Sequence, residues 1–140
     1  MKKLLLLLVI TCGATFAKAQ SVAETVEWLN VKRAEIDLNN CYSNVVKNGT
    51  QKRTLTITAD LIKLEDVNGN WTDNPWSNIK DVKIDGHTVK IVFNLNSNSD
   101  GKPQTIWLCL NDEVLREKYL KAVKHLATLK GAKMVDNDLF

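Results

Sequence analysis

Asp85-Gly86 divides two stretches in which apolar and polar residues alternate, and few folds accommodate that arrangement. Val82 and Ile84 precede it on one face. Val89, Ile91 and Phe93 follow it, alternating with Lys90, Val92 and Asn94. Alternation at period two marks a half-buried strand, and Asp-Gly accepts the positive φ of a tight hairpin turn. The pattern predicts an antiparallel hairpin with strands over Trp76 to Asp85 and His87 to Leu95. Upstream, Leu55, Ile57 and Ala59 alternate with Thr54, Thr56 and Thr58. The register then shifts at Leu61-Ile62, which a turn or bulge near Ala59-Asp60 explains. A strand to about Val67 follows, then an Asn68-Gly69 turn toward Trp71, then a loop at Asp73-Asn74-Pro75. Asn96 to Lys102 reads as a polar loop and Thr105 to Leu110 as the last strand. Between residues 41 and 52, Val45-Val46 is compatible with a strand start and Asn48-Gly49 with a turn.

Helical spacing flanks this β region. Ser21 to Leu38 reads as a helix, with Ser21 and Glu24 as a capping box and Val22, Val26, Leu29 and Ile36 as its apolar stripe. Trp28 flanks the stripe. Arg33 falls inside it, so the helix is expected to bend there or end early, and Asn39-Asn40 stops it. At the other end Leu115, Tyr119, Ala122, Leu126 and Leu129, widened by Val123, form the stripe of a long helix. Asn111 is its expected N-cap, Asp112 and Glu113 suit its positive end, and Gly131 suits the position just past its C-cap.

Strands joined by short turns pair antiparallel, and a sheet must bury one face. The expected fold is therefore α+β: an N-terminal helix, an antiparallel curved sheet of hairpins and a C-terminal capping helix. The strand meander, the Trp76-x-x-Ile79-x-x-Val82 segment entering the Asp85-Gly86 hairpin, and the terminal amphipathic helix together resemble the pleckstrin-homology-like superfold, including its GRAM-type members. The resemblance spans roughly residues 53–130 and is one of layout. In that superfold, function ranges from phosphoinositide binding to peptide binding to scaffolding. The basic loop that binds phosphoinositides in many members has no counterpart around Asp60, so the resemblance implies no binding residues. The extra N-terminal helix departs from the pattern.

The first nineteen residues read as a signal peptide: Met1-Lys2-Lys3, an apolar run from Leu4 to Ile10, and small residues at Ala17 and Ala19. Cleavage is expected before Gln20, leaving residues 20–140 as a single domain. The apolar run is short of the roughly 20 residues needed to span a bilayer, and no second such segment follows. The alternative is a lipoprotein modified at Cys12, although Thr11 stands where Gly, Ala or Ser normally precedes a lipidated cysteine. The full chain has a net charge of +3, and cleavage removes Lys2, Lys3 and Lys18. The mature domain is then formally neutral and carries no electrostatic footprint for nucleic acid.

Export also bears on the cysteines. Cys41 and Cys109 remain after cleavage, and an oxidising compartment favours a disulfide between them. Two separate buried thiols are the alternative, since free Cys packs as a small apolar residue.

The chain has no HExxH, GxSxG, CxxC or Gly-rich phosphate loop. Its histidines, His87 and His125, stand in no nucleophile or metal spacing and read as surface residues. Asp66, Asp73, Asn68, Asn70 and Asn74 lack the order of oxygen ligands of a calcium loop and read as turn chemistry. No catalytic residue, metal or cofactor is expected. Trp71 and Trp76 bracket the polar segment 72–75. Aromatics beside carboxylates and amides stack on sugars or grip peptides, so this pair is the candidate ligand site; packing on the core edge is the other reading. Trp107 is expected either beneath the first helix with Trp28 or exposed. These features point to an exported, periplasmic or secreted, non-catalytic binding or accessory domain of the bacterial envelope. Its partner would be an unknown protein or a small apolar or glycan ligand. The alternatives are a hydrolase-like enzyme whose residues converge only in three dimensions, or a structural envelope component.

Overall fold

The computed structural model describes residues 20–41, 53–65, 71–94 and 105–135. The expected signal segment, Val45-Val46, and the Asn48-Gly49 and Asn68-Gly69 turns lie outside these residues. So does the expected 96–102 loop.

The chain opens on α1 (Val22–Lys32). The capping box forms: Glu24 N–H donates to Ser21 Oγ at 3.2 Å, and Ser21 N–H donates to the Glu24 carboxylate at 2.8 Å. The helix read from Ser21 to Leu38 breaks at Arg33, as its place inside the apolar stripe suggests. After Lys32 the backbone tightens into a 3-10 turn at Arg33–Glu35, passes through extended Ile36, and resumes as the short helix α2 (Leu38–Cys41). Asn39-Asn40 therefore sits within a helical turn, not at a stop. Arg33 accounts for the break. Its guanidinium donates to the carbonyl of Leu55 at 2.8 Å, and Asn30 Nδ2 donates to the carbonyl of Ile57 at 3.0 Å. Both acceptors belong to the strand beside α1. Side chains thus occupy the outward carbonyls of what would otherwise be an open sheet edge.

Six strands follow among the described residues: β1 (Thr54–Ile57), β2 (Leu61–Glu65), β3 (Trp71–Pro75), β4 (Ile79–Asp85), β5 (Thr88–Phe93) and β6 (Thr105–Cys109). They form two antiparallel three-stranded sheets, ordered β1-β2-β3 and β4-β5-β6. The register shift at Leu61 is a tight turn, with Thr58 N–H donating to the Leu61 carbonyl at 3.0 Å. The segment expected as loop, Asp73-Asn74-Pro75, is strand, with Asn74 opposite Ile62. Pairing along β2 overrides the low strand propensity of Asp, Asn and Pro. A 3-10 turn at Trp76–Asn78 carries the chain into the second sheet. The Asp85-Gly86 hairpin forms as expected, with Gly86 at φ 57°. β4 bulges between Ile79 and Asp81, and the carbonyl of Lys80 there accepts from Val135 N–H at 3.1 Å.

Helix α3 (Glu113–Leu129) closes the fold over β4, β5, the second 3-10 turn and α1. Its N-cap is Asp112, one residue beyond the expected Asn111; the carboxylate accepts from Leu115 N–H at 2.8 Å. Its end is a Schellman motif around Gly131, at φ 83°. Ala132 N–H donates to Ala127 and Gly131 N–H to Thr128. The buried face is Arg116, Tyr119, Val123, Leu126 and Ala127, rotated from the expected stripe; Leu129 is exposed. Arg116 is buried because it donates to the carbonyl of Leu110 at 2.7 Å, tying the helix to the end of β6. One core joins both sheets and both long helices, running from Leu29, Leu55 and Ile62 through Trp76, Ile91 and Phe93 to Leu108 and Leu126.

Cys41 and Cys109 form a disulfide, with Cα atoms 5.4 Å apart. Asp37 N–H also donates to the carbonyl of Cys109 at 3.0 Å. On β6, Ile106 and Leu108 face the core, whereas Trp107 and Cys109 lie on the other face, and α2 meets Cys109 there. Trp107 is exposed and not beneath α1.

Candidate functional site

Of the Trp71–Trp76 pair, Trp76 takes the other expected reading and packs in the core. Trp76 is fully buried, and its Nε1 donates to the carbonyl of Thr58 at 2.9 Å. An indole enclosed on both faces, with its N–H bonded, has nothing left to offer a ligand. It pins the inter-sheet turn to the β1–β2 turn. Trp71 lies on β3 opposite Glu65, and its side chain is not among those described.

The structure instead draws attention to Trp28, which flanks the apolar stripe of α1. It is half-buried, with its ring 5.7 Å from that of Tyr119 and tilted by 48°. Tyr119 is itself fixed: it is fully buried and donates its hydroxyl to the carbonyl of Leu29 at 3.0 Å. Burial pushes the Tyr119 phenol far above its ordinary value, and the Arg33 guanidinium opposes this only in part.

A groove runs between α1 and α3 on either side of this indole. One end, about 440 Å³, is lined by Gln20, Trp28, Lys118, Lys121, Ala122 and His125. The other, about 340 Å³, is lined by Trp28, Lys32, Glu35, Asp112, Leu115 and Lys118, among others. Helical geometry explains the first end. Lys118, Lys121 and His125 are spaced by three and four residues and so share one flank of α3. Ala122, with only a methyl group, keeps the wall beside Trp28 low. His125 Nε2 donates to the carbonyl of Gln20 at 2.7 Å and closes the groove where the described chain begins.

Charge is unevenly distributed along the groove. Among the described residues, the first end is lined by two ammonium groups and an imidazole and by no carboxylate. Glu35 and Asp112 lie at the other end. Lys32, Lys118 and Lys121 make no ion pair with a described carboxylate.

His87 is exposed at the β4–β5 turn. Cys109 is committed to the disulfide and is no nucleophile. Among the described residues, no three or more His, Cys, Asp and Glu gather to hold a metal, and no helix is long and apolar enough to cross a membrane. Of the acid and amide groups considered for calcium, Asp73 is exposed, Asn74 is fully buried, and Asp66, Asn68 and Asn70 lie outside the described residues. Asn74 stands out in another way: neither its Nδ2 nor its Oδ1 has a partner among the described residues.

Trp28 was visible in the sequence as a large aromatic beside the stripe of α1. The common flank of Lys118, Lys121 and His125 follows from spacing alone. What spacing does not reveal is that α1 and α3 lie side by side, which is what makes one site of these residues. No protein-family model, curated protein or solved structure matches the chain.

Proposed function

We propose that this chain is an exported, non-catalytic binding domain of the bacterial envelope that holds a small ligand in the groove between α1 and α3. The observation that carries the reading is the groove itself. A half-exposed indole is held from below by a buried, hydrogen-bonded tyrosine, beside a wall kept low by Ala122. Concave sites with an aromatic floor and a few polar groups at the rim are the usual form of a small-molecule site. The Cys41–Cys109 disulfide supports an oxidising compartment, as do the signal-like residues 1–19. Two antiparallel sheets closed by a C-terminal helix support a pleckstrin-homology-like arrangement, a layout that elsewhere carries binding functions.

Two measurements test the reading. The intact mass of the chain recovered from the periplasm or medium should match a start at Gln20, with one disulfide and with or without loss of ammonia from a cyclised Gln20. A species retaining residues 1–19 would overturn the proposed processing. The neutral apolar fluorophore phenylnaphthylamine should bind the mature chain saturably. Ala122→Phe, which fills the groove while leaving Trp28 in place, should abolish that binding. Unchanged binding in Ala122→Phe would place the ligand elsewhere.

A further inference from the structure

We infer that the ligand of this groove is an anion with a flat apolar body: the body lies on Trp28 and a carboxylate, sulfonate or phosphate group points toward Lys118, Lys121 and His125. This inference rests on the groove being the ligand site. Its first support is the division of charge within the groove. Among the described residues, every ionisable side chain lining the Gln20 end is basic, whereas the two acidic side chains lie beyond Trp28 at the opposite end. An anionic amphiphile therefore has one favourable orientation.

The second support is that the two lysines are uncommitted. A structural lysine on a helix commonly faces a carboxylate one turn away. Lys118 has no carboxylate at that spacing, and Lys121, although Glu117 stands one turn before it, makes no ion pair with a described carboxylate, so an incoming anion displaces no internal ion pair. The third is that the positive field is local. The mature domain is formally neutral, so attraction here arises from placement and not from net charge. Gln20 lines the same end, so cleavage before it puts the new α-amino group on a residue of the site.

The test compares two probes sharing one ring skeleton: anilinonaphthalenesulfonate, which is anionic, and phenylnaphthylamine, which is neutral. The mature chain at low salt should bind the sulfonate about tenfold more tightly, the scale expected of two or three partly exposed charge contacts, and salt should erode that preference. In the Lys118→Glu/Lys121→Glu double variant the preference should vanish or invert. Both lysines are exposed, so the variant keeps its fold, which an unchanged melt verifies. Equal affinity for the two probes would overturn the anionic assignment while leaving the groove as an apolar site. A sulfonate preference that survives the double reversal would overturn it too, by placing the anion elsewhere. Failure of both probes to bind would remove the groove reading and this inference together.

Discussion

The hydroxyl of Tyr119 donates to the backbone carbonyl of Leu29, 3.0 Å away and 90 positions earlier in the chain. That carbonyl is available for a local reason. In a continuing α-helix the N–H of Arg33 would occupy it. Because the backbone tightens into a 3-10 turn, Arg33 N–H bonds Asn30 instead. The break in the first helix and the attachment of the last helix are thus one feature. Trp28, the neighbour of Leu29, is set on the Tyr119 ring by the same junction.

Tyr119→Phe removes only the hydroxyl and leaves the Leu29 carbonyl buried without a donor. The expected loss is about 1–3 kcal/mol, read by denaturant unfolding at neutral pH. The pH dependence provides a second reading. Burial raises the phenol above its unfolded value of 10.0. The contribution of the neutral phenol is therefore fully present below that pH and is lost as pH rises toward the folded value, because the unfolded state releases the proton first. The native chain should lose stability above pH 10 more steeply than Tyr119→Phe. Parallel alkaline profiles would show that the phenol is not desolvated.

Leu126 and Leu129 test the rotated face of α3. Both belong to the apolar stripe read from spacing, yet Leu126 is fully buried and Leu129 is 45% exposed. Leu126→Asp places a carboxylate in the core without a cationic partner and should cost about 4 kcal/mol or more. Leu129→Asp should change stability by no more than about 0.5 kcal/mol. Thermal melts of the two variants should separate widely; similar losses would mean that Leu129 packs as the spacing suggested.

Local signals in the sequence were read correctly where one interaction decides the outcome. Ser21 and Glu24 cap α1, Gly86 turns the hairpin, and Gly131 ends α3, because backbone geometry at each point leaves few choices. The N-cap of α3 lies one residue from the one expected, and larger departures come where a distant partner decides. Asp73-Asn74-Pro75 looks like loop until β2 is placed beside it. The burial of Arg116 has no signal in the spacing and follows from the carbonyl of Leu110 within its reach. Trp76 and Trp28 differ in burial for the same reason. Both are large aromatics beside polar residues, and only the meeting of the two sheets encloses one while the crossing of α1 and α3 leaves the other half-open.

Asn74 gives a prediction of opposite sign. Its amide is fully buried opposite Ile62, with neither polar atom bonded to a group of the described residues. Burying an unpaired amide is costly, and Leu has nearly the same size with no polar group to desolvate. Asn74→Leu should leave stability unchanged or raise it by about 1–2 kcal/mol. A loss of that size instead would show that the amide is hydrogen-bonded in solution and holds β3 in place.

The disulfide provides the last test. It joins α2 to the end of β6 across a sequence separation of 68, on the face of β6 that turns away from the core. Chain entropy for a loop of that length corresponds to roughly 4 kcal/mol of stabilisation. The bond does not act alone, because Asp37 N–H donates to the carbonyl of Cys109 and Ile36 is buried in the core. The Cys41→Ala/Cys109→Ala variant should therefore still fold, with a clearly lower melting temperature and faster amide exchange around 37–41. Exchange at α3 should slow or quicken only with global stability. Thiol titration of the denatured, unreduced mature chain should find no free thiol. Two reactive thiols in that titration would sink the bond and, with it, the main structural support for an oxidising compartment.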